Sequence, residues 1–281
     1  TEGLTAPYRN RVYEIGETLL QNGFVRDISQ DQPHQLSDVI LEKYASQIEF
    51  IESFVDSGAY HFQEYRQTNV LVVGSGPILV SLIHALIESG HPKFDYLATE
   101  SIPTNRQRID ELIQNARKMD SEVEVREVLF EKGANNGFWK QAVRAYDGIL
   151  YVTQNGNVNE LRDLNNLCKE EEKVLLPAIC FEQVGLAGPV TDSKSDGCWE
   201  SAWRRLHQTA IQSDHKPNMM SSTTGALLAN VLVFEFFKKV TGIAGSANQI
   251  YLLDFETLEG KWLSFIPHPL VTSTNVAPRL V

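Results

Sequence analysis

The sequence predicts an α/β fold: a mostly parallel sheet wrapped by helices. Three observations carry this. From Asn69 onward, apolar runs at 69–73, 94–99, 122–129, 147–152 and 173–180 alternate with helix-patterned segments at 77–89, 103–118, 137–145 and 158–170. That alternation is what right-handed βαβ units require. Ile149-Leu150-Tyr151-Val152 and Val174-Leu175-Leu176 are apolar without a break, as strands covered on both faces should be. The run beginning Asn69-Val70-Leu71-Val72-Val73 leads straight into Gly74-Ser75-Gly76 and then into a helical pattern.

Taken in order, residues 1–66 differ from the rest of the chain. A helix at 13–20 stops at Asn22-Gly23, and 24–28 reads as a short strand. After a turn-rich stretch at 29–35, a second helix covers about 37–54, with Val39, Ile40, Tyr44, Ile48 and Ile51 near the 3.6-residue period. Helix, strand, helix predicts a small winged-helix-like segment. Residues 67–270 then form a Rossmann-like domain. Beyond the alternating part lie an extended segment at 184–190, a polar loop at 191–197, and helices at about 198–212 and 221–240. Strands at 249–255 and 261–265, joined by Glu259-Gly260, read as a hairpin that extends the sheet antiparallel. Residues 271–281 read as an exit segment.

The 281 residues are 42% hydrophobic and 22% charged, ordinary for a soluble protein. A net charge of −11 argues against nucleic acid or anionic membrane as a partner, since both want a basic face. Cys168, Cys180 and Cys198 are widely spaced and form no metal knuckle, which fits a reducing cytoplasm. The most apolar stretch, 226–237, is interrupted by Asn230 and Glu235 and is too short to cross a bilayer. The chain begins at Thr1 rather than Met, consistent with an excised piece of a longer protein.

A strand feeding a glycine turn at a helix N-terminus suits an anionic nucleotide, because backbone N–H groups and partial positive charge face the phosphate. Gly74 and Gly76 supply the turn, but Leu79 stands where a third glycine would be. The turn alone allows a nucleotide pocket or a ligand-free connection. Glu100, after the second strand, is placed to accept from a ribose hydroxyl or to cap the next helix. Asn105, Arg106 and Arg108 open that helix, where two arginines oppose the dipole and suit phosphate. Asn155 lies in the loop after the fourth strand, beside Gln154, and a neutral pair holds Mg²⁺ poorly. Cys198 at a helix start would have a lowered thiol pKa, but no His or second Cys is near it in sequence. The seven histidines show no metal spacing.

These features together resemble the ThiF/MoeB-type, ubiquitin-activating-like adenylyltransferase superfamily. The residues that carry the resemblance are the Val70–Gly76 strand turn, Glu100, Asn105-Arg106-Gln107, the strand and loop from Asp147 to Asn155, and Val184-Gly185-Leu186-Ala187-Gly188-Pro189-Val190. Within the superfamily the chain looks most like the ThiF-like proteins of thiazole/oxazole-modified bacteriocin clusters, by its segments at 220–242 and 253–269. The resemblance implies a YcaO-type cyclodehydratase as partner, ATP as the family's cofactor and a homodimer. It likens 13–28 to the end of a leader-peptide clamp, with Phe24, Val25, Arg26 and Ile28 as peptide contacts through strand addition. The three phenylalanines Phe234, Phe236 and Phe237, spread around the helix at 221–240, suit either a dimer contact or core packing.

The departures from the family pattern matter as much. The family's longer loop, with its ATP-contacting lysine, is missing, and Gln107 passes directly into a helix. The acid of the usual Asp-Asn pair is Gln154. The first zinc knuckle is reduced to Cys198-Trp199-Glu200-Ser201 and the second has no cysteine at Pro269-Leu270-Val271, so no zinc and no other metal is expected. Losing those charges removes the preorganised electrostatics that adenylation needs. The expectation is therefore a scaffold, not catalytic alone, that binds a precursor or leader peptide for a separate cyclodehydratase. The alternatives are an active ATP-dependent adenylyltransferase and an NAD(P)-dependent oxidoreductase.

Overall fold

The computed structural model describes residues 3, 5–99, 102–129, 136–153, 158–181, 184–192, 221–244 and 248–264. The chain opens with four helices: α1 (Ala6–Gln21), α2 (Asp38–Lys43), α3 (Ala45–Glu52) and α4 (Gly58–Gln67). Then come β1 (Val70–Gly74), α5 (Gly76–Glu88), β2 (Lys93–Ala98), α6 (Arg106–Met119), β3 (Glu124–Glu127), α7 (Asn136–Ala145), β4 (Gly148–Thr153), α8 (Val158–Glu170) and β5 (Val174–Phe181). The end is β6 (Val184–Ala187), α9 (Ser222–Val240), β7 (Gln249–Asp254) and β8 (Gly260–Ser264).

The eight strands form one sheet in the order β3-β2-β1-β4-β5-β6-β7-β8. β1 to β5 pair parallel, and β6 to β8 continue antiparallel. The strand order reverses between β1 and β4, which puts a crevice at their carboxyl ends, where open α/β sheets bind ligands. β1 shows why this sheet is covered on both sides. Val70 and Val72 join a core under α3, α4, α5 and α9, while Leu71 and Val73 join a second core under α7 and α8. Successive side chains of a strand point to opposite faces, so an unbroken apolar run needs two apolar layers. Among the described residues no helix is long and apolar enough to cross a membrane.

The alternating region and the hairpin follow the sequence expectation closely. The first 66 residues do not. The stretch 24–28 is not a strand; it bends and enters a 3-10 turn at Ile28–Gln30, started by the Asp27 side chain accepting from the Ser29 amide. Arg26 pairs with both Asp31 and Glu52, which fixes this loop to α3 without any strand partner. No strand lies among the described residues before β1, so the segment has helices but no wing. The single helix expected over 37–54 breaks at Tyr44, whose ring packs on Phe62 while its hydroxyl donates to Asp120. The helix α4 is an addition to the expectation. The helix read at 198–212 and the segment 271–281 lie outside the described residues.

On α9, Phe236 and Phe237 are core residues, whereas Phe234 is 45% exposed. The three phenylalanines thus divide between core and surface. Phe234 lies 5.7 Å from the Phe50 ring of α3, and with Leu227 it leaves an apolar strip on the outside.

Candidate functional site

The crevice is built from three local choices of sequence. Ser75 is extended and buried, and Gly76 follows at φ +66°, the left-handed region where a side chain would be strained. This lets β1 turn directly into α5, with Pro77 fitting its first turn. The carbonyl of Gly74 accepts from the Thr99 amide at 2.7 Å, tying the ends of β1 and β2 together.

The Gly76 amide, the donor a phosphate would seek, instead donates to the Thr104 hydroxyl at 2.9 Å. Thr104 is fixed in turn, since its carbonyl accepts from the Arg106 amide at 3.0 Å. Asn105 is the N-cap of α6, its side-chain oxygen accepting from the Arg108 amide at 3.0 Å. Arg106 grips Glu127 of β3, with Nε donating at 2.9 and 3.0 Å and a terminal nitrogen at 2.7 Å. Tyr96 of β2 donates to the same carboxylate at 3.3 Å. Burial first, then the Glu127 charge, push the Tyr96 hydroxyl up to about 12, so it remains a donor. Arg108 pairs with Glu111 at 3.2 Å.

The residues singled out from sequence thus separate into two groups. Gly74, Gly76, Asn105, Arg106 and Arg108 gather around one corner, where the Gly76 amide, the Asn105 side chain and both guanidinium groups are engaged with the protein itself. Glu100, Asn155, Gln154 and Cys198 lie outside the described residues. Two residues of the corner were missed. Glu127 had a readable signal, an acid at the carboxyl end of a parallel strand, here the edge strand β3. Thr104 had none, because nothing in the sequence ties it to Gly76, 28 positions away.

Among the described residues, no cluster of His, Cys, Asp and Glu could hold a metal ion. Burial pushes the thiols of Cys168 and Cys180 up to about 12, which removes both as nucleophiles. A groove of about 350 Å³ lies between α3, α5 and α9, lined by Phe50, Ala85, Val233, Phe234 and Phe237 with Gln47 and Glu88 on its rim. It sits at the end of α5 away from Gly76, so it does not belong to the crevice.

No protein-family model matches the chain, and no curated protein matches it. Solved structures do. PaaA matches with a TM-score of 0.69 at 13% identity, over 94% of this chain and 98% of PaaA. Escherichia coli MccB, solved with MccA, matches with a TM-score of 0.66 at 13% identity, over 95% of this chain and 81% of MccB. MccB solved with ATP gives 0.64 at 13% identity over the same shares. The chain has the PaaA and MccB fold. Its sheet, parallel from β1 to β5 and antiparallel beyond, is the α/β architecture expected from the sequence.

Proposed function

We propose that this chain is a ThiF-like scaffold in the maturation of a ribosomally made peptide of the thiazole-containing bacteriocin kind. It binds the leader of a precursor peptide and presents it to a separate, ATP-dependent, YcaO-type cyclodehydratase that turns Cys, Ser or Thr into azolines. It works in the cytoplasm as a homodimer, and its own adenylation chemistry has been lost.

The observation that carries the reading is the Thr104 hydroxyl on the Gly76 amide. Adenylation needs preorganised donors and cations aimed at a phosphate. Here the amide is taken by a neutral hydroxyl and the nearest arginine is neutralised by Glu127. Both engagements support the reading that this corner no longer serves Mg-ATP. The fold likeness supports the peptide side: MccB, of the same fold, has been solved with MccA and with ATP.

For the peptide, Phe24, Val25 and Ile28 are 77%, 48% and 70% exposed. They stand on the loop that Arg26 anchors to α3, so Arg26 positions the contact rather than reading the peptide. With no strand at 24–28, capture proceeds through these side chains and not through strand addition.

The test uses a fluorescein-labelled synthetic leader of a precursor peptide sought among small open reading frames near the gene, with ATP–pyrophosphate exchange measured alongside. Saturable leader binding that Val25→Asp with Ile28→Asp abolishes, and no exchange, is the expected result. Exchange above background would establish an active adenylyltransferase instead. Leader binding unchanged in the double variant would remove the 24–28 contact.

A further inference from the structure

The groove between α3, α5 and α9 has an apolar floor of Phe50, Ala85, Val233, Phe234 and Phe237 in a volume of about 350 Å³. An apolar cleft on the outside of a domain marks a binding surface. Its aromatic lining continues beyond the groove. The Phe50 ring lies 5.7 Å from that of Phe234. The Nζ of Lys238 stands 5.1 Å from the centre of the Phe234 ring and 5.8 Å from that of Trp262 on β8. Phe234 and Trp262 are both exposed. A track of rings with one lysine thus runs from the groove across α9 to the edge of the sheet.

The topology leads the chain back to that track. Each of β6, β7 and β8 pairs antiparallel with the strand before it, beginning at β5. β8 therefore runs opposite to β1, as α5 does, and ends at Ser264 on the side of the sheet where α5 ends and the groove lies. It also ends on the matching face. Trp262 stands opposite Tyr251, and Tyr251 packs against the core that α9 covers.

The residues that follow are Phe265-Ile266-Pro267-His268-Pro269-Leu270-Val271. All but His268 are apolar. Residues 265–281 hold no acid, in a chain of net charge −11, and their charged or titratable side chains are His268 and Arg279. The groove carries Glu88 on its rim, so the charges are complementary. Each proline restricts itself and the residue before it to extended backbone, which lowers the entropy lost on binding, and aromatic-lined grooves take such segments. At roughly 3.3 Å per extended residue, five or six residues from Trp262 span the track as far as Phe50.

We propose that the groove is the receptor for the chain's own segment 265–271, which runs along Trp262 and Phe234 and seats Pro269 and Leu270 between α3, α5 and α9. The segment acts as a strap. It holds α3, and with it the loop that Arg26 anchors to Glu52, against the helices of the sheet domain. The proposal is independent of the peptide-maturation reading.

Hydrogen exchange on the full chain, read by mass spectrometry, tests it. The amides of Ile266, His268 and Leu270 should exchange slowly. Phe234→Glu, a change at an exposed position, should speed them about tenfold or more, as loss of a buried apolar contact does. A fluorescein-labelled peptide of residues 265–273 should bind the Phe265→Asp, Leu270→Asp chain about tenfold or more tightly than the unaltered chain, whose own tethered segment competes. Adding Phe234→Glu should abolish that binding. In a Cys198→Ser background, Asn230→Cys with Leu270→Cys should close a disulfide within one chain. Fast exchange at 265–271 in the unaltered chain, protection that Phe234→Glu leaves unchanged, equal peptide binding by both chains, or a disulfide formed only between chains would each overturn the proposal.

Discussion

Arg66 of α4 and Asp120, at the end of α6, form an ion pair at 3.0 Å with side chains only 2% and 1% exposed. The same guanidinium donates to the Gly90 carbonyl at 2.9 Å and to Glu122 at 3.1 Å, and Tyr44 donates to Asp120 at 3.2 Å. One side chain thus ties the amino-terminal helices to the turns after α5 and α6. Removing one partner of a buried pair strands the other charge, which costs about 3–5 kcal/mol. Urea unfolding of Arg66→Ala at neutral pH should show a loss of that size. Arg66→Lys should recover little of it, because an ammonium cannot reach three acceptors in a planar fork.

Gly90 is the neighbouring constraint. It ends α5 at φ +89°, and the amides of Gly90 and His91 close back on Ile87 and Leu86, a helix stop that favours glycine. An added Cβ would lie 2.6 Å from the Phe62 ring and 3.0 Å from the Tyr44 ring. Gly90→Ala therefore combines backbone strain with overpacking, for a loss on the order of 2–4 kcal/mol. Thermal unfolding against Gly242→Ala, where φ is also positive but the space is open, separates the two effects: the Gly242 variant should lose clearly less.

These two residues also show what sequence could and could not supply. The β/α alternation from Asn69 is written in local periodicity, and each strand there appears within a few residues of where it was expected. The break at Tyr44 is not local. The apolar spacing of 37–54 continues through it, and the helix ends because Tyr44 must meet Phe62 and Asp120, which come from distant segments. The reading of 24–28 as a strand failed for a related reason: a short run of apolar and β-prone residues makes a strand only beside another strand, and none is there. At the crevice, the glycine turn was legible, whereas its occupation by Thr104 depends on how the chain returns after β2.

His91 gives a pH dependence. Its ring is fully buried, 4.9 Å from the Tyr65 ring and 6.1 Å from that of Phe94. Burial pushes its pKa down from 6.5 to about 4; backbone groups of Tyr65 and Thr68 work against this without reaching hydrogen-bond geometry, and the Arg66 charge adds to it. The folded state thus binds fewer protons than the unfolded one below pH 6.5. Stability should be level above that value and fall as pH drops toward 4, by roughly 3 kcal/mol in all. Asp120 acts in a lower window. Burial alone would raise its carboxyl, but the hydrogen bond and charge of Arg66 outweigh it, so the net shift is downward and its stabilisation is lost only as pH falls through the carboxylate range. Urea midpoints of His91→Phe should stay level between pH 6.5 and 4.5, where the unmodified chain declines. Parallel decline in both would assign the acid sensitivity elsewhere.

The grip of Glu127 on Arg106 predicts how the crevice responds to nucleotide. Arg106 is 57% exposed on its side chain, so Glu127→Ala should change stability by less than about 1 kcal/mol. What the change does is release a guanidinium at the N-terminus of α6. If the corner is silent because its donors are all engaged, Mg-ATP calorimetry should give no heat of binding for the unmodified chain. Glu127→Ala combined with Thr104→Ala, which also frees the Gly76 amide, should then bind an anion such as inorganic pyrophosphate measurably. Such a gain, without any pyrophosphate exchange activity, is the expected outcome. Equal and tight Mg-ATP binding in the unmodified chain would show that the Gly76 amide and Arg106 exchange their present partners for phosphate, and the scaffold reading would give way to an active adenylyltransferase.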